Sequence, residues 1–299
     1  MGTIIGESEP VHRRNGFCRQ PAGANTVRMP GTVTVGIAQW QPRCGEPDRN
    51  LRDALDFIAT LAARGCALVV LPELWPCGYD PATVATDAPA AAEPLDGARG
   101  QALAAAAREH RMWLFAGTVP EGDGTDLYNT AVVYAPDGRL AAAHRKVYLY
   151  TPLGEDRVFT AGDRATVVDV DGIGVVGVSI CFDGDHPDYA RLLHDRGARV
   201  VVAPCAYETA TESWWDILYP ANALANGQWW VMANQCGGAL LGKSRIIAPD
   251  GTIVAQASRV GPGAAPELLV ATVDLAAGVR AAESAAGALW AQPAPPLKQ

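Results

Sequence analysis

The run GVVGVSI (residues 174–180) is apolar and rich in β-branched side chains, and it stops at Cys181. A short apolar run closed in this way is the pattern of a strand buried on both faces. Outward from it, the same pattern recurs in TVTVGIAQ (residues 32–39), ALVVL (residues 67–71) and residues 112–119. Between these runs the period changes to that of a helix. Leu51, Leu55, Ile58 and Leu61 fall three or four residues apart in residues 48–63, with Asp48 as the expected N-cap, and residues 100–109 form an alanine-rich helix. Buried strands alternating with helices predict a layered α/β domain whose sheets are covered by helices.

Further along, residues 128–134 and 140–148 flank the turn Pro136-Asp137-Gly138 and read as a hairpin. Residues 187–196 are expected as a helix, 199–203 as a strand, 214–226 as a helix and 229–234 as extended chain. A second Pro-Asp-Gly turn, at Pro249-Asp250-Gly251, joins strands within residues 246–255, and residues 268–274 close the series. No linker interrupts residues 32–274, which predicts one domain. Residues 1–31 read as a disordered leader, with Met29 as an alternative start, and residues 275–299 as an Ala- and Pro-rich tail.

The chain has 299 residues, 49% hydrophobic and 19% charged, a globular composition that can bury a core without disulfides or metals. A net charge of −8 and the lack of any Lys/Arg run argue against a nucleic-acid partner. No stretch approaches the roughly 18 apolar residues of a membrane span. Arg13-Arg14 is not followed by the apolar segment of an export signal, so the cytoplasm is the expected compartment. Seven cysteines at irregular spacings are expected as reduced thiols. The five histidines (His12, His110, His144, His186 and His194) show no ligand spacing and the cysteines no zinc pattern, so no metal or cofactor is expected.

Glu73, Lys146 and Cys181 each close an expected strand. Glu73 follows Val69-Val70-Leu71-Pro72, where desolvation would raise a carboxyl towards the range of a general base. Cys181 precedes an expected helix, whose amide donors would favour a thiolate. Together with the cation of Lys146 they supply what acyl transfer requires. Each also has an ordinary reading: a small buried hydrophobe, a solvated strand end and a surface lysine.

The local wording narrows this choice. Leu71-Pro72-Glu73-Leu74 is followed by Gly78-Tyr79. Arg145-Lys146-Val147-Tyr148-Leu149 is followed by Gly154-Glu155, Phe159 and Gly162, and Cys181-Phe182-Asp183 by Pro187. VGIAQ (residues 35–39) precedes them, and GKSRI (residues 242–246) with Pro249-Asp250-Gly251 follows. In this order the segments resemble the carbon–nitrogen hydrolase (nitrilase) superfamily over residues 33–274. The resemblance implies a four-layer α-β-β-α sandwich of two mixed β-sheets, assembled as a homodimer or larger homo-oligomer. It implies a Glu73, Lys146, Cys181 triad that hydrolyses a small non-peptide amide to carboxylate and ammonia through a thioester. Glu73 would deprotonate Cys181, and Lys146 with the backbone N–H of Phe182 would hold the oxyanion. Glu155 would orient Lys146 or the substrate, a loop salt bridge being its alternative role.

Two departures bear on substrate. Many branches read Cys-Tyr-Asp-x-Arg-Phe-Pro-Glu from the nucleophile, whereas this chain reads Cys181-Phe182-Asp183-Gly184-Asp185-His186-Pro187-Asp188. Asp185 stands where the ω-amidase-like branch has an arginine that receives a substrate carboxylate, and an acid there repels such a group. Capping the following helix is its alternative role. Relatives commonly have Ala-Arg-Ala-x-Glu-Asn where this chain has Ala221-Asn222-Ala223-Leu224-Ala225-Asn226, which removes a charged pair. Tyr79, Asp183, Asp185, His186, Tyr207 and Trp214 are the candidates for the substrate pocket. The neighbouring Trp215, Tyr219, Trp229 and Trp230 belong to the same aromatic group, which could line a pocket for an apolar or aromatic acyl group or a cation, core packing being the favoured role of Trp229 and Trp230. Phe182-Asp183, where nitrilases have Trp-Glu, favours amides over nitriles; N-carbamoyl hydrolysis and acyl transfer stay open. A non-catalytic scaffold needs none of the triad. A redox sensor in which Cys205 or Cys236 resolves Cys181 is a third reading.

Overall fold

The computed structural model describes residues 31–275 apart from 123 and 262. The expected leader, up to residue 30, and the tail from residue 276 lie outside the described residues, whereas Leu275 still packs into the core. The first half of the chain forms β1 (Val33–Gln39), α1 (Pro47–Ala63), β2 (Leu68–Val70), α2 (Val84–Ala90), α3 (Ala98–His110), β3 (Trp113–Gly122), β4 (Leu127–Tyr134) and β5 (Leu140–Arg145). The second half forms β6 (Thr166–Val170), β7 (Gly174–Val178), α4 (Pro187–Asp195), β8 (Val200–Cys205), α5 (Glu212–Asn226) and β9 (Trp229–Asn234). The short β10 (Cys236–Gly237), β11 (Leu240–Leu241), β12 (Arg245–Ile247), β13 (Ile253–Gln256) and β14 (Glu267–Val273) follow.

One six-stranded sheet runs β14-β1-β2-β3-β4-β5 and the other β13-β12-β9-β8-β7-β6. In each, three neighbouring strands are parallel, β1-β2-β3 in the first and β7-β8-β9 in the second, with antiparallel strands outside them. Alternation along the strands explains the layers. Val35, Ile37, Leu68 and Val70 point into one core together with Val176 and Val178 of the opposite sheet. Ala38, Val69 and Leu71 point the other way, against Ile58 and Leu61 of α1 and Leu103 of α3. Leu193 of α4 and Trp215 and Tyr219 of α5 are buried against the second sheet. The result is two mixed sheets packed between helical layers, the expected sandwich. No helix among the described residues is long and apolar enough to cross a membrane. The six described cysteines form no disulfide.

Some boundaries differ from expectation for identifiable reasons. β5 stops at Arg145 rather than continuing to residue 148, because the N–H groups of Val147 and Tyr148 turn to the Asp183 carboxylate, at 3.0 and 2.8 Å. Asp48 lies in the first turn of α1 rather than capping it; Glu46 occupies the cap and Pro47 opens the helix.

One glycine in this frame matters for the site. The β3–β4 register slips between Phe115 and Thr118, and Gly117 sits there at φ +66, where a Cβ would come 2.0 Å from the Pro72 carbonyl oxygen. Pro72 adjoins Glu73. Gly117→Ala is therefore expected to cost about 2–4 kcal/mol from backbone strain and overlap and to displace Glu73. Thermal melting measures the cost, and a variant as stable as wild type contradicts the account.

Candidate active site

Glu73 and Cys181 lie just beyond the carboxyl ends of β2 and β7, parallel strands of opposite sheets, which is where sheets of this kind place their ligand sites. Lys146 follows β5 directly. All three are buried, with 0%, 9% and 1% exposure for Glu73, Cys181 and Lys146. The Lys146 ammonium donates to Glu73 Oε1 at 2.9 Å and to Glu155 Oε1 at 2.8 Å. Asn129 of β4 donates to the same Glu73 Oε1 at 2.8 Å, while Glu73 Oε2 is buried with no partner among the described residues. Glu155 is fixed in turn by the Tyr79 hydroxyl at 2.9 Å and the Tyr150 N–H at 2.7 Å. The Glu73 backbone is held as well, its carbonyl accepting from Gln235 Nε2 at 2.6 Å.

Cys181 opens a 3₁₀ turn, Cys181–Asp185, at φ +43. That left-handed conformation is uncommon for a residue with a side chain, and the surrounding structure must hold it in place. Burial raises the Glu73 carboxyl above its ordinary value; Lys146 opposes the shift and Glu155 adds to it. Burial disfavours the Lys146 ammonium, but Glu155 and Glu73 outweigh it and keep the lysine firmly charged. The Cys181 thiol is pushed well above its usual range, first by its hydrogen bond with Cys205, then by burial and by Glu73. The expectation of a thiolate stabilised by helix amides is thus corrected. The turn after Cys181 is a short 3₁₀ segment, and the groups beside the sulfur are a thiol and a carboxylate.

Glu73, Lys146 and Cys181 line one recess with Tyr79, Phe182, Asp185, Tyr207 and Trp214. Two pocket candidates lie outside its lining. Asp183 folds back beneath the turn, where it accepts the N–H groups of Val147, Tyr148 and Ile180 and meets His144 Nε2 at 3.1 Å. It ties the strand end carrying Lys146 to the strand end carrying Cys181. His186 stacks on Tyr148 with ring centroids 3.7 Å apart, which keeps it at the foot of α4. Asp185 does not cap α4. It accepts hydroxyl hydrogen bonds from Tyr207 at 2.8 Å and Tyr219 at 2.9 Å. Trp215, Tyr219 and Trp230 are fully buried and pack edge to face, with centroids 5.1 and 5.4 Å apart, so they belong to the core.

Sequence reasoning missed Asn129, Tyr150 and Glu208. A buried asparagine inside the apolar run LYNTAVVY (Leu127–Tyr134) is a signal that could have been read. Tyr150 and Glu208 line the recess from irregular segments that carry no such mark.

Residues 34–283 match the carbon-nitrogen hydrolase family. The chain is 31% identical over 239 residues to the omega-amidase NIT2-A of Xenopus laevis, covering 76% of this chain and 83% of that protein. It is 34% identical over 247 residues to a nitrilase of Pyrococcus abyssi, covering 81% of this chain and 90% of that protein. Among solved structures, Nit3 of Saccharomyces cerevisiae, a member of branch 10 of the nitrilase superfamily, matches with a TM-score of 0.77. The two are 26% identical over 86% of this chain and 95% of that one. With its two-sheet sandwich and the Glu-Lys-Cys constellation at the strand ends, the chain is a member of the carbon–nitrogen hydrolase (nitrilase) family.

Proposed function

We propose that the protein is an amidase that hydrolyses a small non-peptide amide through a thioester on Cys181. The observation that carries this reading is the division of labour at the Glu73 carboxylate. Oε1 is saturated by Lys146 and Asn129, whereas Oε2, buried and unpartnered, is free to take a proton in the recess that Cys181 also lines. In the first step Glu73 accepts the Cys181 proton as sulfur attacks the amide carbonyl carbon. Lys146 has three N–H donors and spends two on Glu73 and Glu155, leaving one for the oxyanion. The Phe182 N–H, in the first turn of a 3₁₀ helix, has no intrahelical acceptor and serves as the second donor. Glu73 then passes its proton to the departing amine, and in the second half it takes a proton from the water that cleaves the thioester. Glu155 holds the lysine in place. The exposed Leu192, Ile217 and Leu224 on α4 and α5 support assembly as a homodimer through that outer face.

Quenched single-turnover mixing with a slow amide tests the proposal. The intact mass should rise by one acyl group on the Cys181 peptide, removable by hydroxylamine; turnover without an adduct overturns it. The pH profile supplies a second check. Glu73 must be ionised to act as base, and burial raises its pKa, so kcat/KM should fall on the acid side at a pH above the ordinary carboxyl value of 4.5. An acid limb at or below that value removes Glu73 from the role.

A further inference from the structure

We infer that Asp185 makes the recess selective for amides whose acyl chain ends in a positively charged nitrogen. The inference rests on the amidase reading of the same recess and specifies its substrate class. Beyond the triad, the recess is lined by two acids, Asp185 and Glu208, and among the described residues no lysine or arginine pairs with either. The one lysine in the lining, Lys146, is already committed to Glu73 and Glu155.

Asp185 is also short of donors. Tyr207 supplies one hydroxyl hydrogen to Oδ2. Tyr219 has a single hydrogen and two acceptors at equal distance, Asp185 Oδ1 and the Cys181 carbonyl oxygen, both at 2.9 Å. A half-buried carboxylate with one full hydroxyl, one shared hydroxyl and no ion pair among the described residues, Lys146 and His186 acting on it without contact, is under-compensated. A substrate ammonium offers N–H donors and charge together, and the aromatic residues Phe182, Tyr150 and Trp214 that also line the recess are compatible with a cation. A substrate carboxylate would set two anions side by side. Asp185 lies four residues along the same 3₁₀ turn as Cys181, about 8 Å at roughly 2 Å per residue. A short alkyl spacer between carbonyl and ammonium covers that span.

The test is ammonia release from three amides sharing one short spacer and ending in an ammonium, a methyl or a carboxylate. In the wild type, kcat/KM for the ammonium amide should exceed that for the carboxylate amide by about 100-fold and that for the methyl amide by about tenfold. In Asp185→Asn the ammonium-to-methyl ratio should fall towards one. Its thermal melt is recorded alongside, and the wild-type ratios decide the matter even if the variant folds poorly. A carboxylate amide that matches or beats the methyl amide overturns the inference. If the methyl amide turns over with its adduct on Cys181 but the ratios are flat, only the selectivity fails. If none of the three acylates Cys181, the amidase reading fails and the selectivity with it.

Discussion

Cys181→Ala protein is expected to release ammonia from amides with kcat/KM reduced by about 10⁴-fold or more, while its melting temperature stays near that of the wild type. On the proposed mechanism the magnitude follows from losing the atom that would form the covalent intermediate, after which base and oxyanion donors would have nothing to assist. The fold should tolerate the change, since one sulfur atom leaves a side chain at the edge of a recess rather than in a closed core. Cys205 gives the experiment its control. It is fully buried, lies beside Cys181 and directs its thiol at the Ala203 carbonyl oxygen at 3.4 Å. Cys205→Ala should keep turnover and bring the Cys181 thiol down, because the Cys205 hydrogen bond is the largest cause of its elevation. A thiol-alkylation rate measured against pH reads that change. Activity surviving in Cys181→Ala but lost in Cys205→Ala would transfer the nucleophile to Cys205.

Lys146→Met is expected to lose both activity and stability. As the proposed oxyanion donor, Lys146 should be worth roughly 10²–10³ in kcat. The larger structural effect is that Glu73 and Glu155, both almost wholly inaccessible, lose the cation that lies within 3 Å of each. Breaking such a buried arrangement by removing one partner costs about 3–5 kcal/mol. The loss should depend on pH. Burial already holds the folded Glu73 pKa above 4.5, and removing Lys146 takes away the charge that lowers it. An acid with a raised folded pKa contributes stability that is fully present below its unfolded pKa and fades as pH rises through the folded one. The melting temperature of Lys146→Met should therefore fall further behind the wild type as pH rises above the ordinary carboxyl value of 4.5. A gap that does not change with pH means the two carboxyls are not left as uncompensated charges.

The strand ends bearing Glu73 and Cys181 are legible in the sequence because each follows a short apolar run, whereas Lys146 follows the mostly exposed or half-buried β5 and is marked only by the wording around it. The layers are legible for the same reason, through two-residue alternation and helical spacing. Asp183 is not. Nothing near it in the chain signals that its carboxylate gathers N–H groups from two separated strand ends, so it looks like a pocket residue and acts as a clasp. The early end of β5 is hidden by the same long-range contact. Asp185 shows the reverse case: its sequence position suggested either a helix cap or a pocket acid, and only the hydroxyls of Tyr207 and Tyr219 separate the two.

Glu73 and Lys146 leave one sheet and Cys181 leaves the other. On the proposed triad, catalytic competence is a gauge of how the two halves of the sandwich are docked, and neither half alone holds the three residues. A loosened state that keeps its strands and helices but loses fixed packing should be inert. In rising denaturant, turnover is then the first property to go, ahead of far-ultraviolet circular dichroism, because a slip between the sheets too small to unpair any strand already separates the sulfur from its base.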